Sequence, residues 1–226
     1  MKLILILSLS FLTLASLAAT PQIQVQGNCE IKVTPDRGSI IFTAENQFKD
    51  QKTAVKKTND QISSLKEEIK KLGLKDLELK NVNYAVYPVR DYEKERYVDK
   101  GVRASLGLEV TTSEIPRMGE AMMKASQLGI QNVGSLITFL SLEKSQQEYL
   151  KCLDIAADDA KGKALQLAKK LGFKIGDVIL LNEVPNIPRP IPEHRVAMKS
   201  MMDSAPQIEA GTQNYSTNIH ITFSIK

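Results

Sequence analysis

Apolar and polar positions alternate almost without fault from residue 22 to residue 33. Ile23, Val25, Gly27, Cys29, Ile31 and Val33 share one face, and Gln22, Gln24, Gln26, Asn28, Glu30 and Lys32 share the other. A two-residue period of this kind predicts a half-buried strand. Thr34-Pro35-Asp36-Arg37-Gly38 supplies turn chemistry and residues 39–45 return as a second strand, so the two are expected to form an antiparallel hairpin. The period then changes. Val55, Thr58, Ile62, Leu65, Ile69 and Leu72 recur every three or four residues, which predicts a helix over residues 48–72 stopped by Gly73, with Thr58 as a polar interruption of no consequence. Alternation resumes at Leu77, Leu79, Val82, Tyr84 and Val86, with a change of phase near Asn81 that predicts a bulge. Val102, Ala104, Leu106, Leu108 and Val110 answer it as a partner strand.

Thr112 or Ser113 then caps a shorter helix carrying Ile115, Met118, Met122, Ala125 and Leu128, closed by Gly129, and residues 133–142 read as a strand weakened by Gly134. Ser145 and Glu148 make a capping box, from which Tyr149, Leu153, Ala156, Ala160, Ala164, Leu167 and Leu171 run as one stripe to Gly172. The middle of the stripe is alanine, so the helix axis can approach the sheet it covers more closely than a leucine stripe would allow. Residues 178–181 predict the next strand. Tyr215, Thr217, Ile219, Ile221, Phe223 and Ile225 predict a last one, docked at the C-terminus. Between these two, residues 186–211 hold four prolines, scattered methionines and no sustained period, a long irregular connection. Hairpins mixed with helices predict an α+β fold: mainly antiparallel or mixed sheet packed by one long alanine-rich helix and two further helices. The helix-strand-strand-helix order hints at two related halves, although no residue-level repeat accompanies it.

Composition changes the picture first at the N-terminus. Lys2, the apolar run of residues 3–17 and the small residues Ser16 and Ala18 have the layout of a secretory signal cleaved after Ala18. Residues 19–226 are then the exported domain, with no membrane span once the signal is removed, and no cysteine follows the cut to carry a lipid anchor. The 30 lysines and arginines are interspersed with 26 acidic residues for a net charge of +4, a pattern without a nucleic-acid footprint. Export places Cys29 and Cys152 in an oxidising compartment. A disulfide between them is one reading, and two small hydrophobes on apolar stripes is the other.

Candidate chemistry is sparse. Neither His194 nor His220 has a partner at metal-ligand spacing, and no nucleophile elbow, phosphate loop or dinucleotide fingerprint is present. No catalytic residue, cofactor or metal site is therefore expected. Asp154 and Asp158 stand one helical turn apart with Asp159 beside them and would suit a shared cation or an acid-base pair, but Lys151, Lys161 and Lys163 can neutralise them as a solvated face. Met198, Met201 and Met202, near His194, offer either thioether ligands for Cu(I) or flexible apolar filler. RDYEKERYVDKG, residues 90–101, is dense in both charge signs and should project into water as a hairpin tip, a docking arm or a plain solvated connection.

Taken together, IQVQGNCEIKVTPDRGSI, YPVRDY, AADDAKGKALQLAKKLGFKIGDVILLNE and the closing IEAG before a terminal strand resemble the SIMPL-domain family, which includes periplasmic immunogenic proteins of bacteria. The resemblance rests on Gly27, on Pro35-Asp36-Arg37, and on the helix of residues 160–172 running into Gly176. Asn28 departs from it, as does the methionine-rich connection. It implies export to the periplasm, an α+β fold, self-association in some members and a loose link to envelope or oxidative stress, and it transfers no catalytic residue. The expectation is a non-enzymatic envelope protein that forms a homo-oligomeric scaffold or binds an envelope protein partner. A carboxylate-based hydrolase and a metal or ligand carrier using the methionine-histidine connection are the alternatives.

Overall fold

The alternating segment forms the strand expected of it, β1 (Gln22–Val33), but β1 does not fold back on its neighbour. In the computed structural model, which describes residues 21–184, the backbone of residues 191–192, and residues 208–226, β1 pairs antiparallel with the C-terminal strand β9 (Gln213–Ile225) along its whole length. β7 (Ile175–Val184) adds to the other side of β9, giving a three-stranded antiparallel sheet in the order β1-β9-β7. The next strand in the chain, β2 (Arg37–Phe48), belongs to a second sheet. There it pairs with β4 (Arg96–Thr112), which pairs with β3 (Glu78–Glu93). The short strands β6 (Ile137–Phe139) and β8 (Ile191–Pro192) extend this sheet beyond β2, and β5 (Asn132–Val133) also pairs with β2.

The expected hairpin between the first two strands is thus a crossing from one sheet to the other. Its cause lies in the connector. The Asp36 carboxylate accepts from both the N–H and the hydroxyl of Ser141, so it is tied to a distant segment instead of closing a turn. Gly38 is not among the positive-φ glycines. Its missing side chain instead makes room for Ile115 and Met118, whose nearest atoms would each lie 3.0 Å from an added Cβ.

α1 (Gln51–Lys71) and α2 (Met118–Gln127) cover the second sheet, α1 capped by Asp50 and α2 preceded by a 3-10 turn over Ile115–Arg117. Ile40, Phe42, Leu108 and Val110 of the sheet meet Ile62, Leu65 and Ile69 of α1 and Met118 and Met122 of α2 in one core. Thr58 is not idle within it. Fully buried, its hydroxyl lies 2.9 Å from the Ala54 carbonyl and 3.2 Å from the Ala104 carbonyl and accepts from Asn46 Nδ2, which itself donates to Gln61. That polar chain fastens α1 to β2 and β4. The predicted strand over residues 133–142 is broken into β5 and β6, with the Gly134 N–H given to the Ile41 carbonyl between them.

α3 (Leu142–Leu171) covers the first sheet. It starts a turn earlier than the capping-box reading, because Ser141, held by Asp36, caps it by accepting from the Lys144 N–H. The buried stripe is Cys152, Ala156, Ala160, Ala164 and Ala168, packed on Val25, Cys29, Val33, Ile219, Ile221 and Phe223. A strict four-residue spacing drifts by about 40° per step around a helix of 3.6 residues per turn, so the buried line winds with the twisted sheet. Leu167 and Leu171 are carried out of it and are 43% and 71% exposed. The close approach expected of alanine is real: a Cβ at Gly27 would overlap the Ala156 carbonyl and crowd the Ala160 methyl. The architecture is α+β, with a separate core for each sheet. Among the described residues no helix is long and apolar enough to cross a membrane. The signal read at residues 1–18 and most of the connection at 186–211 lie outside the described residues.

Candidate functional site

The two edges of the first sheet differ. On β1, the Pro21 carbonyl accepts from the Ile225 N–H, so odd-numbered positions turn toward β9 and even-numbered positions turn outward. Two of those outward backbone groups are taken by α3. Asp159 accepts the Asn28 N–H at 2.9 Å, and Lys163 donates to the Gln26 carbonyl at 3.0 Å while bonding to Asp159 at 2.5 Å. The Lys163 ammonium, and then the Asn28 N–H, hold the Asp159 carboxyl below its ordinary value.

Among the described residues β7 has no such cover; it pairs only with β9, and α3 lies mainly over β1 and β9. Val178, Ile179, Leu180 and Leu181 are consequently 55%, 49%, 49% and 56% exposed. A run of four large apolar side chains on an edge that no described strand pairs differs in kind from the scattered apolar residues normal on a surface. One contact that does cross from α3 is Tyr149, which donates to Glu183 at 2.7 Å and whose own ionisation is pushed up by that carboxylate.

A second exposed feature is the ribbon of β3 and β4. Residues 90–101 are strand to the very tip, with Glu93 opposite Arg96 and a two-residue turn at Lys94-Glu95, both at positive φ. The expected bulge falls at Asn83, two residues beyond the phase change in the sequence. Tyr92 and Tyr97 meet edge-on at the tip with ring centroids 5.2 Å apart, and Tyr84 and Tyr87 are exposed nearer the base. Of the charges in this ribbon, Lys100 pairs with Glu93 at 2.5 Å.

The remaining candidates do not converge. Asp154 and Asp158 are exposed, on the side of α3 away from its buried alanines, while Asp159 is the carboxylate turned toward the sheet. His220 sits on β9 between Gln26 and Asn182. His194, Met198, Met201 and Met202 lie outside the described residues. Among the described residues no three His, Cys, Asp or Glu side chains gather where a metal ion could be held. The cleft of about 450 Å³ at the first turns of α1 is lined by Lys52, Lys56 and Lys57, and its carboxylate, Asp60, is bonded to Lys56.

The two cysteines are joined. Cys29 on β1 and Cys152 at the head of the alanine stripe form a disulfide with Cα atoms 5.5 Å apart, closing 123 residues of sequence separation inside the core between α3 and the first sheet. Thr217, opposite Cys29 in register, is buried with its hydroxyl unpartnered among the described residues. The sealing of β1 by Asp159 and Lys163 escaped the sequence reading. Its one signal was the four-residue spacing of an acid and a base on the flank of an alanine stripe.

Comparison with known proteins adds a family and no activity. The SIMPL family profile, described as a protein of unknown function (DUF541), matches residues 23–223. The 26 kDa periplasmic immunogenic protein of Brucella melitensis is 24% identical over 214 residues, covering 91% of this chain and 85% of its own, and that of Brucella abortus matches equally. The uncharacterized protein YggE of Escherichia coli (strain K12) is 24% identical over 188 residues, 82% of this chain and 74% of its own.

Proposed function

This chain belongs to the SIMPL family, and from that membership we propose that it is an exported, non-catalytic module of the cell envelope that works by association, with further copies of itself or with an envelope protein. The observation that carries the reading is the uncovered edge of β7, four consecutive apolar side chains about half exposed beside backbone that no described strand pairs. Such an edge is a template for another strand. The ribbon tip, with its exposed tyrosines, is a further surface of the same kind.

The 26 kDa immunogenic proteins of Brucella are named as periplasmic, which supports a periplasmic location here. The signal layout at residues 1–18 supports the same location. N-terminal sequencing of the protein released by osmotic shock tests it: a start at Ala19 agrees, and an intact Met1 in the cytosolic fraction overturns it. Light scattering after gel filtration tests association, and a strict monomer across the micromolar range retires self-association. Proximity labelling from the chain in its native envelope tests the partner, and an identical set of labelled proteins from an untethered exported control retires that half.

A further inference from the structure

The chain has six tyrosines, and the fold puts them in different circumstances. Tyr215 is buried, and Tyr149 is held by its bond to Glu183. Tyr84 and Tyr87 are exposed on the ribbon of β3 and β4, but Tyr87 stands opposite Arg103, and Tyr84 lies in the bulge with no residue opposite it. Tyr92 and Tyr97 are directly opposite each other. They are 62% and 76% exposed, with ring centroids 5.2 Å apart and ring planes at 64°.

The turn explains the pairing. With two residues in the loop, Lys94 and Glu95, the flanking Glu93 and Arg96 are the hydrogen-bonded pair of the hairpin, and Tyr92 and Tyr97 take the next, non-hydrogen-bonded position. Side chains at such a position stand closest across a sheet. Backbone register therefore holds the two rings together, without a core that would also shield them. Both phenols are open to an oxidant in solution, and each has a second phenol beside it.

We infer that Tyr92 and Tyr97 are a site of oxidative cross-linking within the chain, joined as dityrosine by a one-electron oxidant of the haem peroxidase class working with hydrogen peroxide. Each phenol gives up one electron and its hydroxyl proton. The two phenoxyl radicals join through their ortho carbons, and the hydrogens on those carbons then move to the phenolic oxygens. One hydrogen peroxide is reduced to two waters, so the chain loses two hydrogens and gains one carbon–carbon bond. Rotation about the tyrosine side-chain torsions, of which the outer is broad, brings the ortho carbons into contact. A second phenol on the same hairpin acts at an effective concentration on the order of millimolar or more, against micromolar for another copy, so the link closes inside the chain. It fastens β3 to β4 beside the turn and consumes oxidant without breaking the backbone. The inference is independent of the association read from β7.

Peroxidase and hydrogen peroxide applied to the purified protein test this. Trypsin cuts after Arg90, Lys94, Arg96 and Lys100, which puts Tyr92 and Tyr97 on separate short peptides, so the link is read by mass spectrometry as those two peptides joined. The joined pair is expected as the main dityrosine product, in protein that still runs as a single chain under denaturing conditions. Its yield per chain should be unchanged by about tenfold dilution of the protein. Tyr92→Phe and Tyr97→Phe keep the ring, and each should lower dityrosine fluorescence roughly tenfold or more. Tyr84→Phe combined with Tyr87→Phe should leave it unchanged. Amide exchange at residues 93–96 should slow after oxidation of the wild type and not after oxidation of Tyr92→Phe. Dityrosine that persists in the two single variants, or that appears only in covalent dimers and falls with dilution, overturns the inference. Treatment that oxidises the methionines and leaves the two tyrosine peptides unlinked overturns it as well.

Discussion

The carboxylate of Asp36 accepts the backbone N–H of Ser141 at 2.7 Å and its hydroxyl at 2.6 Å, across 105 residues of sequence. Ser141 in turn caps α3 by accepting from the Lys144 N–H. One aspartate at the crossing between the sheets therefore fixes where the long helix begins. Gln213, at the start of β9, adds a second tie at the same crossing by donating to the Thr138 carbonyl at 2.7 Å. Replacing Asp36 with alanine removes two hydrogen bonds to a charged acceptor and frees the Ser141 cap. The expected loss is about 2–3 kcal/mol, seen as a lower urea midpoint with the helical circular dichroism of the folded state retained.

Gly27 and Gly162 should respond in opposite directions to alanine. At Gly27 an added methyl meets the Ala156 carbonyl, and backbone on both sides prevents relief, so a loss of about 3 kcal/mol or more, or failure to fold, is expected. Gly162 is exposed within α3 with nothing near an added Cβ, so alanine there should stabilise by about 1 kcal/mol through helix propensity. Parallel denaturant titrations of the two variants check both signs.

The disulfide predicts no reactive thiol in the unfolded, unreduced protein and two after reduction. Because the bridge closes a long loop, reduction or the double variant Cys29→Ala with Cys152→Ala should cost about 2–5 kcal/mol. Alanine at position 152 continues the existing stripe, so the loss is mostly that of the cross-link. Thiol titration and denaturant midpoints measure the two parts separately.

Lys94 and Glu95 turn the ribbon with both φ angles positive, a conformation that costs side-chain-bearing residues energy. Asn-Gly at these two positions should stabilise the tip by about 0.5–1 kcal/mol and slow its amide exchange.

Asp159 carries a pH dependence of definite sign. Its folded value is depressed by Lys163 and the Asn28 N–H. Its stabilisation is therefore fully present above the unfolded carboxylate value of about 3.9 and disappears as pH falls through the lower folded value. Melting temperatures of wild type and Asp159→Asn should differ at neutral pH and converge in acid. Equal melting temperatures at neutral pH would show that the carboxylate does not hold the edge.

The period-two runs of β1 and β9 and the four-spaced alanines of α3 were legible in the sequence because each reports one element's own geometry, an alternating face or a helical stripe. The stops at Gly73 and Gly172, both at positive φ, were legible for the same local reason. Which strand pairs with which was not. Thr34-Pro35-Asp36 reads as a turn, and only Ser141, distant in sequence, shows that it crosses between sheets. Thr58 looked incidental because its partners at Ala104 and Asn46 come from other strands. The site followed the same division. The apolar run of residues 178–181 was plain as a strand, but whether it was buried depended on how far α3 reaches over the sheet. The closed edge of β1 exists only where Asp159 and Lys163 meet Asn28 and Gln26, groups more than 130 residues apart in the chain. Local periodicity determined the elements; contacts between distant residues decided which sheet each strand joined and which edge a helix sealed.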